Sequence, residues 1–263
     1  MQGLSIDDAG QGTPVVLLHG LTATRRYVVM GSKALERSGH RVVAYDARGH
    51  GASAPAPAPE AYGYADLADD LEWVLDDRGI DRAVLAGASM GAHTALSLAL
   101  RTPHRVAGLV LITPAHDPED DGSGTDLERW DRLSDALRTG GVEGFVAAYG
   151  VQDVPERWRD TVQTVLRQRL GGHERLEAVA DALKAVPRSD PFAAWEDLAR
   201  IDVPCVVVAD RDEADPGHPL ATGERYAETI PGAELVVEEA GKSPIAWQGG
   251  QLSRVIGALA SRT

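Results

Sequence analysis

Gly87-Ala88-Ser89-Met90-Gly91 follows the apolar run Ala83-Val84-Leu85-Ala86 and precedes Ala92 to Arg101, a stretch of helix-compatible composition. A strand that turns this sharply into a helix holds its central residue in a strained backbone conformation. Glycines at 87 and 91 remove the side chains that would clash there. The Ser89 hydroxyl is then presented above a sheet, at the positive end of the following helix. Glycine and serine also make ordinary turns, so the strand and helix flanks carry the reading of a nucleophile elbow.

Two further segments have the same strand-then-loop character. Val15 to Leu18 runs into His19-Gly20-Leu21, and Val42 to Tyr45 runs into Asp46-Ala47-Arg48-Gly49-His50-Gly51-Ala52-Ser53. Together with the elbow they resemble the α/β-hydrolase family, in its compact esterase, haloperoxidase and carbon-carbon hydrolase branch, over nearly the whole chain. The resemblance implies an α/β fold: a mostly parallel sheet flanked by helices, with a helical cap insertion. It implies that the backbone N–H groups of Leu21 and Met90 form an oxyanion hole where negative charge develops. It also implies that His19 and His50 shape loops and transfer no protons.

The resemblance places the acid next in chain order. Val203 to Ala209 reads as a buried parallel strand and leads into Asp210-Arg211-Asp212-Glu213-Ala214-Asp215-Pro216. Asp212, four residues before Pro216, matches the family's register for the catalytic acid; Asp215 is the second candidate, and an acidic surface loop is the bland alternative. After Glu234 to Glu239 the family expects Gly-His, and this chain has Gly241-Lys242-Ser243. With 23 of the 26 basic residues being arginine, a lysine here is not background drift.

The exchange changes the chemistry. Histidine, with a pKa of about 6.5, takes and returns a proton near neutrality, whereas lysine, at about 10.4, faces nearly 5 kcal/mol against its neutral form at pH 7. Burial lowers a lysine pKa, while a carboxylate such as Asp212 raises it. The expectation is an ammonium at Lys242 paired with Asp212. Such a group cannot accept the Ser89 proton, though it can stabilise an alkoxide or hold an anionic substrate. A neutral lysine acting directly on Ser89 and a surface lysine at a loop tip both stay open.

Other histidines could substitute. His116, past the apolar strand Val106 to Ile112, and His218, in Pro216-Gly217-His218-Pro219, are candidate pocket residues. His93, one turn beyond Ser89, is expected in the core; His40, His104 and His173 sit in polar connections and read as solvated. Arg25, just beyond the oxyanion loop, is placed to meet an anionic substrate or to lie solvated on the surface.

Strand and helix alternate up to about Ile112, including a helix over Asp66 to Arg78. From about Asp117 to Arg188 the chain reads as an acidic glycine-bearing loop and then helices over 127–137, 142–148, 156–170 and 174–186. Alternation resumes at Val203 and ends in a helix over Leu252 to Ala260. This predicts a core formed by residues 1–116 and 189–263 and a cap formed by 117–188. Trp130, Phe145, Tyr149, Trp158, Phe192 and Trp195 are the aromatic residues in or beside that cap, more of them expected in packing than in ligand contact.

The chain has 263 residues, 43% of them hydrophobic, enough for one large core with an insertion. A net charge of −14 argues against nucleic acid or an anionic membrane as partner. The first residues have neither a basic nor an apolar leader segment, so the expected location is cytoplasmic. The single cysteine, Cys205, reads as a buried core residue. No metal-ligand spacing and no cofactor motif is seen, and monomer and homodimer both stay open. The first functional reading is a serine hydrolase of a small ester, lactone or related acyl compound, acting through Ser89 with Lys242 in the place of the general base. The others are a lyase-like enzyme on the same scaffold and a catalytically impaired small-molecule-binding member. An engineered histidine-to-lysine inactive variant would carry the same sequence.

Overall fold

A computed structural model describes residues 3–119, 125–152, 154–211, 214–239 and 247–263. Six strands run parallel: β2 (Thr13–Leu18), β3 (His40–Tyr45), β4 (Ala83–Ala88), β5 (Val106–Ile112), β6 (Cys205–Ala209) and β7 (Glu234–Val237). A short strand, β1 (Ile6–Ala9), pairs antiparallel with β3 at the sheet edge. The sheet order is β1-β3-β2-β4-β5-β6-β7, which puts the elbow strand β4 at its centre.

Alternation along the strands explains the layers. Val16, Leu18, Val43, Leu85, Leu109 and Val207 face one side, where they pack on α2 (Tyr64–Asp77), α3 (Met90–Arg101) and α7 (Leu220–Thr229). Their sequence neighbours Val15, Leu17, Val42, Val84, Val110 and Val206 face the other side, against α1 (Ala34–Arg37) and α8 (Gly249–Ala260). Successive side chains point to opposite faces, so burial of both faces demands uninterrupted apolar runs. Those runs are what the sequence displays. Cys205 lies buried in β6 as a free thiol, as expected. β6 begins two residues later than the apolar run because Pro204 has no N–H to give a ladder, although its carbonyl still accepts from Leu109 N–H at 2.9 Å. β1 was not legible: Ile6-Asp7-Asp8-Ala9 has only one partly buried residue, and Asp8 is held by Arg41 at 2.7 Å.

Between β5 and β6 the described chain is helical: α4 (Thr125–Tyr149), α5 (Arg159–Leu170) and α6 (Leu176–Ala185). α4 breaks at Gly141, where φ is 59°, so it comprises the two helices the sequence suggested. Leu133, Phe145, Leu166, Leu170, Val179 and Leu183 give this segment its own apolar cluster. Ala182 and Val186 seat it on Tyr62, Leu67 and Met90 of the sheet unit. No helix among the described residues is long and apolar enough to cross a membrane.

Candidate active site

Ser89 occupies the bend between β4 and α3 with φ 49° and ψ −113°. Both flanking glycines are obligatory. A Cβ at Gly87 would lie 2.2 Å from the Gly91 carbonyl group, and one at Gly91 would lie 2.2 Å from Leu18 O. The bend is pinned by Ser89 N–H donating to Ile112 O at 2.9 Å and by His93 N–H donating to Ser89 O at 3.1 Å. Ser89, Met30 and Thr113 are the non-glycine residues with positive φ among those described, and all three line the same cavity. Strained backbone is concentrated there, as at sites whose geometry the surrounding fold dictates.

The Ser89 hydroxyl meets a histidine. Ser89 Oγ lies 2.9 Å from Nε2 of His218, whose Nδ1–H donates to Asp215 Oδ2 at 2.8 Å. Asp215-Pro216-Gly217-His218 is a β-turn closed by His218 N–H on Asp215 O at 3.3 Å. That turn brings acid and imidazole to one side of the loop after β6. Burial alone would lower the His218 pKa, but the Asp215 carboxylate, its hydrogen bond and the charge of Asp210 outweigh it, and the pKa is raised above the ordinary value of 6.5. Burial likewise pushes the Asp215 carboxyl up. The His218 charge and hydrogen bond, with Arg169 and Gly217 N–H, more than offset this and bring it below its ordinary range. Each member of the pair therefore favours the charged form of the other.

The expected acid and base, Asp212 and Lys242, lie outside the described residues. The hydrogen bonds at Ser89 run instead to His218, which the sequence offered as a pocket residue and a possible substitute base behind His116, and through it to Asp215, the second candidate for the acid. A usable signal was present: an acid three residues before a histidine, joined by Pro-Gly, folds both side chains onto one face of a turn. The family's spacing, which favours Asp212 before Pro216, hid it.

Leu21 borders the cavity in the loop after β2. Met90 is the first residue of α3, so its N–H has no intrahelical acceptor. Three neighbouring histidines hold the Leu21 loop, His50 lying between His19 and His173 with ring centroids 5.1 and 5.5 Å away. His19 accepts Ala47 N–H at 2.9 Å and donates to Gly20 O at 2.8 Å. His50 reaches Leu21 O at 2.7 Å, and His173, from the turn between α5 and α6, accepts Gly51 N–H at 2.8 Å and donates to Thr22 O at 3.1 Å. His19 and His50 thus have the loop-shaping place expected of them. His40 and His173 do not match expectation: His40 is buried at the start of β3, where its ring lies against Gly257 of α8, and His173 is half-buried, held by Gly51 N–H and Thr22 O rather than solvated.

Two other pocket candidates do not line the cavity. His116 turns its Nε2 to Phe192 O at 3.3 Å and packs edge-on against the Phe192 ring. Arg25 is drawn away by two carboxylates, Asp7 at 2.8 Å and the buried Asp46. Of the aromatic residues considered, Trp130, Phe145 and Tyr149 border the cavity, whereas Phe192 and Trp195 belong to the sheet core. His93 is buried, as expected; it accepts the N–H groups of Ala115 and His116, each at 3.1 Å.

The cavity has a volume of about 330 Å³, and Val162, Val165 and Leu166 of α5 form its apolar roof over Ser89. Elbow, loop and helical roof are matched by a family model described as the alpha/beta hydrolase fold, over residues 13–171.

The chain belongs to the α/β-hydrolase fold family.

It is an α/β-hydrolase enzyme by that membership. It is 31% identical over 244 residues to a 2-hydroxy-6-oxononadienedioate/2-hydroxy-6-oxononatrienedioate hydrolase of Pseudomonas putida, covering 89% of this chain and 82% of the relative. Among solved structures it is similar to a thermophilic esterase from Thermogutta terrifontis, with TM-score 0.74, 27% identity and coverage of 98% of this chain and 92% of the other. It is also similar to Est816, described as an N-acyl homoserine lactone degrading enzyme, with TM-score 0.70, 25% identity and coverage of 96% and 92%.

Proposed function

We propose that this α/β-hydrolase cleaves small carboxylic esters or lactones through an acyl-enzyme on Ser89, with His218 as general base and Asp215 as its orienting acid. The observation that carries this reading is the 2.9 Å contact between Ser89 Oγ and His218 Nε2. His218 takes the serine proton as Ser89 attacks the carbonyl carbon, and Asp215 stabilises the imidazolium that results. The backbone N–H groups of Leu21 and Met90 receive the developing oxyanion. When the acyl carbon–oxygen bond breaks, the imidazolium returns its proton to the leaving oxygen. Water then repeats the cycle and releases the acid. The esterase and the lactone-degrading enzyme similar to this chain support an acyl substrate, and the 330 Å³ cavity supports a small one.

A base at His218 removes the motive for lyase-like, binding-only or inactive readings, which rested on Lys242 standing where a base was required. Lys242 then has an auxiliary place outside the proton path. Turnover of p-nitrophenyl acetate by the parent, Ser89→Ala, His218→Ala and Lys242→Ala tests the assignment. Turnover should persist in Lys242→Ala and fall to background in the other two. Loss in Lys242→Ala with retention in His218→Ala would overturn it.

A further inference from the structure

One cation in the cavity makes no direct contact in the Ser89–His218–Asp215 relay. Arg169, on the last turn of α5, is the one arginine or lysine among the described residues lining the cavity. Its Nε is buried without a hydrogen-bond partner, and among the described residues the guanidinium makes no ion pair. Neighbouring cations behave otherwise. Arg167, two residues earlier, pairs with Glu143 at 2.8 Å; Lys184 pairs with Asp135 at 2.7 Å and Arg188 with Asp131 at 2.9 Å. A chain with 40 acidic residues against 26 basic ones does not leave an arginine unpaired for want of carboxylates.

Arg169 is half-buried, with its Nε taken out of water and given no partner, which is unfavourable; an anion bound at the cavity end of the guanidinium offsets that penalty. The Arg169 charge favours the Asp215 carboxylate but opposes the imidazolium on His218. A negatively charged substrate group would cancel that opposition. Asp210 after β6 and Glu238 after β7 also line the cavity, and like charge disfavours an anionic group beside them. An anionic substrate end is therefore directed to the α5 wall.

We infer that Arg169 is a substrate-recognition residue that binds a carboxylate at the end of the acyl chain, so that the preferred substrates are half-esters of dicarboxylic acids or lactones bearing a free carboxylate. The planar guanidinium suits a carboxylate, which it can engage with two parallel N–H donors. This inference rests on the Ser89 hydrolase reading for its chemistry, although the binding it describes does not require turnover.

Ethyl hydrogen adipate and ethyl hexanoate share a chain and differ in the terminal carboxylate. Their kcat/KM values, followed by acid release at pH 8, should differ by roughly 10-fold to 100-fold in favour of the half-ester in the parent, the span expected for charged hydrogen bonds. The ratio should fall to within about threefold in Arg169→Gln and recover in part in Arg169→Lys. Equal ratios in parent and Arg169→Gln would overturn the inference, as would a uniform loss on both esters, which would mark Arg169 as a support for Asp215 alone. Calorimetry on Ser89→Ala with ethyl hydrogen adipate separates the two readings. Binding there that Arg169→Gln abolishes would sustain the carboxylate site even if fluorophosphonate failed to label Ser89 in the parent. Labelling at Ser89 with no Arg169-dependent binding would leave the hydrolase reading standing and remove this one.

Discussion

Two sets of histidines flank the nucleophile elbow, and their surroundings drive them in opposite directions. His19, His50 and His93 are buried and His173 is half-buried, all beside backbone groups and other rings, and loss of water pushes their pKa values down, to about 3 for His93 and about 4 for His173. His218 is also enclosed, but a carboxylate on its own turn outweighs burial and raises it. The first set behaves as fixed neutral hydrogen-bonding groups. The second can exchange a proton near neutrality with a serine in contact. A carboxylate partner, more than proximity to Ser89, separates a structural imidazole from a chemical one: His93 begins one turn from the nucleophile and has none.

The sharpest way to break this contrast is to remove His218. His218→Ala should lower kcat for a small ester by at least about 10³-fold with little change in melting temperature, and steady-state kinetics alongside calorimetry will show whether both hold. Asp215→Asn removes the carboxylate and keeps the shape, so a loss of about 100-fold or more is expected in kcat, with the pH midpoint of the residual activity moved down.

Changes in the buried set should appear chiefly in stability. His173→Leu strands Gly51 N–H and Thr22 O and should destabilise the fold by about 1–3 kcal/mol in urea unfolding; His173→Gln, which can both accept and donate, should regain part of this. His93 and His173 have folded pKa values below their unfolded ones. The unfolded chain therefore takes up protons first as the pH falls below about 6.5, and stability present above that pH is lost down to about pH 4 and, for His93, about pH 3. Urea unfolding measured across that window should lose about 1.4 kcal/mol per pH unit for each group.

Much of this was legible in the sequence. The Gly87 to Gly91 pattern and the apolar runs determine β2 to β6 and the elbow, because a strand buried on both faces tolerates no polar interruption. The helical segment between β5 and β6 was visible in its helical spacing. β1 was not, since an edge strand of isoleucine, two aspartates and alanine has no alternation to read. Arg25 and His116 could not be placed from sequence because the groups that capture them, Asp46 and the Phe192 carbonyl, come from distant segments. His218 was legible as a substitute base but ranked behind His116. Loop register in the acid segment gave weight to Asp212, while the Pro-Gly turn that joins Asp215 to His218 is a short-range feature which only its geometry makes decisive.

The central claim is that His218, and not Lys242, accepts the Ser89 proton. The rate of Ser89 labelling by a fluorophosphonate, followed from about pH 5 to about pH 10 in the parent, Lys242→Ala and His218→Ala, addresses it most directly. The account predicts that the parent and Lys242→Ala rise together through one midpoint above 6.5, the direction set by the raised His218 pKa, and that His218→Ala labels at background at every pH. A parent profile that climbs only near the lysine range and survives in His218→Ala, with Lys242→Ala unlabelled, would contradict it.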